Sequence, residues 1–143
     1  MKNKNLELLN SLYQNTSMGI SALSTVIPKT KDIKLKSELQ SQLDNYHNQS
    51  EIIRKILFSQ STEPKDINPI SKKAADAGIA VSTLANKSTG HIAEMMIQGT
   101  TMGVIDINKL LNQSQSLDNT VLKQAQDILA AEQQYIDKLK LYL

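Results

Sequence analysis

Apolar residues recur along this chain at alternating steps of three and four, and no stretch of four or more residues keeps a clean apolar–polar alternation. The spacing predicts helices and no strands. Over about residues 4–27 it runs Leu6, Leu9, Tyr13, Thr16, Ile20, Leu23 and Ile27. Over about 31–60 it runs Leu35, Leu39, Tyr46, Ser50, Ile53 and Leu57, and over about 118–142 Val121, Ala125, Ile128, Glu132, Tyr135, Leu139 and Tyr142. A further segment, about 89–112, is apolar over more than half its circumference, with Met95, Met96, Gly99, Met102, Gly103 and Ile107 among its residues. A helix so apolar is buried on several sides or meets a second subunit. A shorter Ala-rich stretch, about 69–86, predicts a connecting helix. Pro28, the run Ser59–Pro64 with Pro69, Asn86–Gly90 and Asn112–Ser116 mark the breaks.

Four long helices of matched length describe one four-helix bundle covering residues 1–143. The long connection between the second and third carries its own helix, which predicts that those two run parallel, the one-crossover arrangement. A simple up-and-down bundle is the alternative.

Composition narrows the chemistry. Four Tyr, one Phe and no Trp leave the core to aliphatic side chains and Met. Without cysteine there are no disulfides, thiolate metal sites or Cys nucleophiles. Sixteen basic against fourteen acidic residues give a net charge of +2 with no basic stripe, so nucleic acid is not an expected partner. No apolar run approaches the roughly 20 residues of a membrane span. The opening Met1-Lys2-Asn3-Lys4-Asn5 lacks the apolar region of a signal peptide, so the expected location is cytoplasmic and no membrane partner is expected.

The polar residues that fall on apolar stripes are the candidates for chemistry. Thr16 lies at the centre of the first helix's apolar face and Glu132 at the centre of the last. Tyr46, Ser50, Tyr135 and Asp106 join them, which predicts a polar layer at mid-bundle. A lone carboxylate in hydrocarbon must take up a proton or find donors. Three readings follow: Glu132 accepts from hydroxyls of Thr16, Tyr46, Ser50 or Tyr13 in a structural network, the layer holds one metal ion or a small ligand, or Glu132 lies off the stripe in solvent.

A mid-bundle Glu has a counterpart in the ferritin-like superfamily, which this chain resembles. Those bundles hold two metal ions with a Glu from each of two helices and a Glu-x-x-His pair from each of the others. Here Glu132-Gln133-Gln134-Tyr135 resembles one such pair, with Tyr in place of His, and Asp44-Asn45-Tyr46-His47 resembles the other, with Asp in place of Glu. The first helix offers Thr16 or Gln14 and the third Gly99 or Gln98, so the implied ligand set is incomplete, and a di-iron oxidase or ferroxidase is not expected. The runs His91–Gly103 and Glu132–Lys140 are similar to those of small ferritin-like proteins from spore-forming bacteria to which no activity is attached. Spore coat proteins of the coat-F type resemble the bundle more distantly.

Other constellations are thinner. His91 and Glu94, three apart, offer two metal ligands, as do Asp44 and His47. Met95, Met96 and Met102 suit a core or an interface better than a Cu(I) site, and Gly99 and Gly103, four apart, suit close helix packing. No Ser, His and acid share a core position. The expectation is therefore a non-enzymatic module with no cofactor, acting as a structural or protein-interaction bundle. Its partner is a second copy, a dimer first, or another protein, with Met95, Met96, Gly99, Met102 and Gly103 as the interface. The alternatives are a binding protein that holds a single metal or small ligand around Glu132, and a spore- or stress-associated assembly protein.

Overall fold

The computed structural model describes residues 2–60 and 85–143. Among them are four long helices and no strand: α1 (Lys2–Val26), α2 (Ile33–Ser59), α3 (Thr89–Gln113) and α4 (Asn119–Leu139). Short 3-10 turns, Ile27–Lys29 and Lys140–Tyr142, extend α1 and α4. The expected connecting helix at 69–86 falls almost wholly on residues outside the described ones; Ala85 and Asn86, its last two positions, are not helical.

Local chemistry sets the breaks. Pro28 sits in the first turn of a 3-10 segment, where its missing N–H costs nothing. The buried Thr30 hydroxyl donates to the Val26 carbonyl at 2.8 Å. Asp32 then caps α2, its carboxylate accepting from the Leu35 N–H at 2.9 Å. Ser88 caps α3 by accepting from the His91 N–H at 3.3 Å. Between α3 and α4 the chain turns through Ser116 at φ 61°, and Asn5 of α1 accepts from the Asp118 N–H at 3.0 Å, tying that turn to the bundle.

The core falls into two clusters, one towards each end. The first joins Leu23, Val26 and Ile27 of the α1 end, Leu35 and Leu39 of the α2 start, Ile92 and Met96 of the α3 start, and Leu139 of the α4 end. The second joins Leu8, Leu9 and Leu12 of the α1 start, Ile53 and Leu57 of the α2 end, Ile107 of α3, and Val121, Ala125 and Ile128 of the α4 start. Thus α1 and α4 point one way and α2 and α3 the other. The helices pack in the ring α1–α2–α4–α3, and α2 and α3 share no packed face. Between the two clusters the bundle is polar.

Several seams differ in detail from the spacing read above. In α2 the buried series is Leu35, Leu39, Gln42, Tyr46, Gln49, Ile53 and Leu57, so Gln49 takes the place expected for Ser50, which is half-buried. In α1 and the start of its 3-10 extension the described buried residues are Asn5, Leu8, Leu9, Leu12, Thr16, Leu23, Val26 and Ile27; Leu6, Tyr13 and Ile20 flank the seam. At the gap in that series, Gly19 faces Tyr46, and a Cβ there would lie 2.8 Å from the tyrosine ring.

Candidate functional site

The polar zone between the clusters is built around Glu132, which α4 places in its apolar seam one turn after Ile128 and leaves 1% exposed. Two donors reach its Oε1: the Asn15 carboxamide of α1 and, at 3.2 Å, the Tyr46 hydroxyl of α2. Its other oxygen, Oε2, is buried without a hydrogen-bond partner. Oε2 lies over Gly103 of α3, 3.6 Å from where a Cβ would stand, and Asn15 Oδ1 crowds the same point more closely still. The absent side chain of Gly103 is what makes room for the Asn15–Glu132 pair.

Electrostatics follow from the burial. Desolvation pushes the Glu132 carboxyl from its ordinary 4.5 to about 7, opposed by the hydrogen bonds from Asn15 and Tyr46. The same cause raises the Tyr46 phenol well above its usual range, reinforced by the neighbouring Glu132. Tyr135 also rises, again by burial, against the hydrogen bond it receives from Asn45. The two tyrosine rings meet at 5.4 Å with a 57° tilt, and Thr100 of α3 brings its hydroxyl to the Tyr46 phenol. The layer therefore holds one carboxyl group that keeps a proton easily and two phenols that do not lose theirs.

The other expected residues divide. Thr16 is fully buried, but its hydroxyl donates to the Tyr13 carbonyl at 2.9 Å, one turn back, and not to Glu132. A helical threonine has that carbonyl within reach, so the hydroxyl network expected at Glu132 shrinks to Tyr46. Ser50 is displaced by Gln49, whose Oε1 is itself buried without a partner. Asp106 is half-buried. Asp44 and His47 are exposed, and Asp44 accepts from Gln40 at 3.0 Å. His91 and Glu94 lie 3.7 Å apart on the surface. Among the described residues no three His, Asp or Glu side chains gather as metal ligands would.

The interface candidates divide too. Met96 is buried in the first cluster, Met95 packs against it, and Gly103 faces inwards on Asn15. Gly99, expected to pack closely beside Gly103, is exposed with nothing within 4 Å of a Cβ. Met102, 64% exposed, does face outwards, and Ile105, 47% exposed, joins it. Sequence reasoning missed Asn15, Gln42, Asn45, Gln49 and Thr100. For Gln42 and Gln49 the signal was present, since both fall on the three-four steps of the α2 seam.

Comparison with known protein families, with curated proteins and with solved structures finds no match. Among the described residues no helix is long and apolar enough to cross a membrane.

Proposed function

We propose that this chain is a ferritin-like bundle without a di-metal centre, a non-enzymatic module that pairs with a second copy of itself through the outward face of α3. The parallel course of α2 and α3, with α1 and α4 opposed to them, supports the ferritin-like assignment. The donor set does not fit the two metal ions of that superfamily. Where its pattern has His, Tyr135 keeps a phenol that burial holds protonated, Asp44 and His47 face outwards, and among the described residues Glu132 is the one fully buried acid. Two divalent ions need several anionic oxygens or imidazoles to replace their water.

The observation that carries the pairing is the outward stripe of α3: Glu94, Gln98, Thr101, Met102, Ile105 and Lys109, all exposed, with two large apolar side chains at its centre. An antiparallel contact centred between Thr101 and Met102 is self-complementary. It sets Ile105 against Gln98 of the second copy and Lys109 against Glu94 at both ends, as a two-fold interface requires. At 25 residues α3 is about 37 Å long, enough for a dimer contact of modest area. Sedimentation equilibrium tests this. Dimerisation is expected to be lost in Met102→Glu and weakened in Glu94→Lys or Lys109→Glu, with the double charge exchange restoring it. A chain that stays monomeric at high concentration, or a dimer indifferent to these changes, overturns the reading.

A second reading rests on the unpartnered Glu132 Oε2: the layer holds a small ligand there. It predicts uptake that Glu132→Leu abolishes with the helices intact. Metal analysis after incubation with Fe(II), Zn(II) or Cu(I) checks the metal form of it, and no uptake by the parent chain discards that form.

A further inference from the structure

Lysines scattered along the sequence are collected by the fold at one end of the bundle. The turn from α1 to α2, the segment entering α3 and the close of α4 all meet beside the first core cluster. Gly90 stands 3.7 Å from the Tyr142 carbonyl, measured from where its Cβ would be, and Lys138 reaches Glu38 of α2 at 3.9 Å. Exposed at this end are Lys31, Lys34, Lys36, Lys87, Lys138 and Lys140. The acids nearby are largely engaged: Asp32 caps α2, Glu38 accepts from Gln42 and faces Lys138, and Asp137 faces Lys140 at 3.6 Å. Lys31, Lys34, Lys36 and Lys87 form no ion pair among the described residues.

Three aliphatic side chains project from the same end: Ile33 at 84% exposure, Leu141 at 82% and Leu143 at 67%. They are the most exposed large apolar residues described, and they stand among the lysines. We propose that this end of the bundle docks on an anionic bilayer surface, the aliphatic tips entering the interfacial region while the lysines meet lipid phosphates. Exposure favours a bilayer over an acidic protein segment. The three apolar side chains stand 67–84% exposed among the lysines, and lysine stems can lie along the interface with their ammonium groups in the headgroup layer. The attachment is peripheral and needs no spanning helix.

This inference does not rest on pairing through α3. An antiparallel pair sends its two basic ends in opposite directions, so the Met102→Glu chain should bind one bilayer as the parent does, and failure of either reading leaves the other standing. The test is co-sedimentation with vesicles of phosphatidylglycerol and phosphatidylcholine, and with phosphatidylcholine alone. Binding is expected to the anionic vesicles only, to weaken as salt screens the lysines, and to fall by about tenfold or more in Lys34→Glu/Lys36→Glu, the direction and size expected for surface charges. Ile33→Ser should weaken it also, while Lys55→Glu/Lys123→Glu, at the opposite end, should leave it unchanged, with circular dichroism showing all variants folded. No binding to anionic vesicles at low salt, equal binding to both vesicle types, or indifference to Lys34→Glu/Lys36→Glu overturns the proposal. Capture of a polyglutamate peptide without vesicle binding overturns it in favour of an acidic protein partner.

Discussion

Burial makes Glu132 a stronger proton acceptor when folded than when unfolded, and the sign of the pH dependence follows. Its carboxyl moves from 4.5 to about 7 on folding, so between those values the native chain holds a proton that the unfolded chain has released. Stability must fall as pH rises through that window and level off above it. At 1.36 kcal/mol per pH unit the shift is worth on the order of 3 kcal/mol. The groups that bond or couple to it are the phenols of Tyr46 and Tyr135, which do not titrate there, and the neutral carboxamide of Asn15. Urea unfolding is therefore expected to show the chain more stable at pH 5 than at pH 8, and Glu132→Gln should remove most of the difference. A stability that rises over this range, or an unchanged slope in the variant, contradicts the assignment. Glu132 was legible in the sequence because it sits on an unbroken apolar seam. Asn15 was not: it lies beside the α1 seam, and only the placement of Gly103 across the bundle gives its carboxamide somewhere to go.

Within the helices, three glycines that look alike in sequence do different things. Gly19 lets the Tyr46 ring lie against α1, Gly103 lets Asn15 reach Glu132, and Gly99 faces open space. Gly19→Ala should cost about 1–3 kcal/mol, since an aromatic ring inside the core has little room to retreat. Gly103→Ala should cost a similar amount by displacing the Asn15 carboxamide, and should also raise the Glu132 proton affinity by removing a bond that favours the charged form. Gly99→Ala should add about 0.5–1 kcal/mol through helix propensity alone. Thermal and urea melts of the three variants check the signs. Two destabilised chains and one stabilised chain are expected, and the same sign for all three would mean that these contacts do not govern stability. The spacing Gly99-x-x-x-Gly103 suggested one shared packing face; the helix divides them, because four residues advance it by about 40° and the boundary between core and surface falls in that interval.

The whole bundle was legible as four helices because each carries a continuous three-four stripe, but charge distribution over the molecule was not. Lysines separated by a hundred residues in sequence share one end only once the helices are packed, and no local pattern announces that. The division of the core by the polar layer has a consequence at the same scale. Ile92 belongs to the first cluster and Ile53 to the second, both fully buried, and no residue belongs to both clusters. Ile92→Val and Ile53→Val should each cost about 1 kcal/mol, and in combination the losses should add to within about 0.5 kcal/mol. Each cluster draws residues from all four helices, so neither half can melt while the other keeps its helices in place. Denaturation of the double variant should accordingly remain one transition with the slope of the parent. Two resolved transitions, or a loss well beyond the sum, would mean that the layer around Glu132 separates two independently folding halves, and the hydrogen bonds from Asn15 and Tyr46 would then be what couples them.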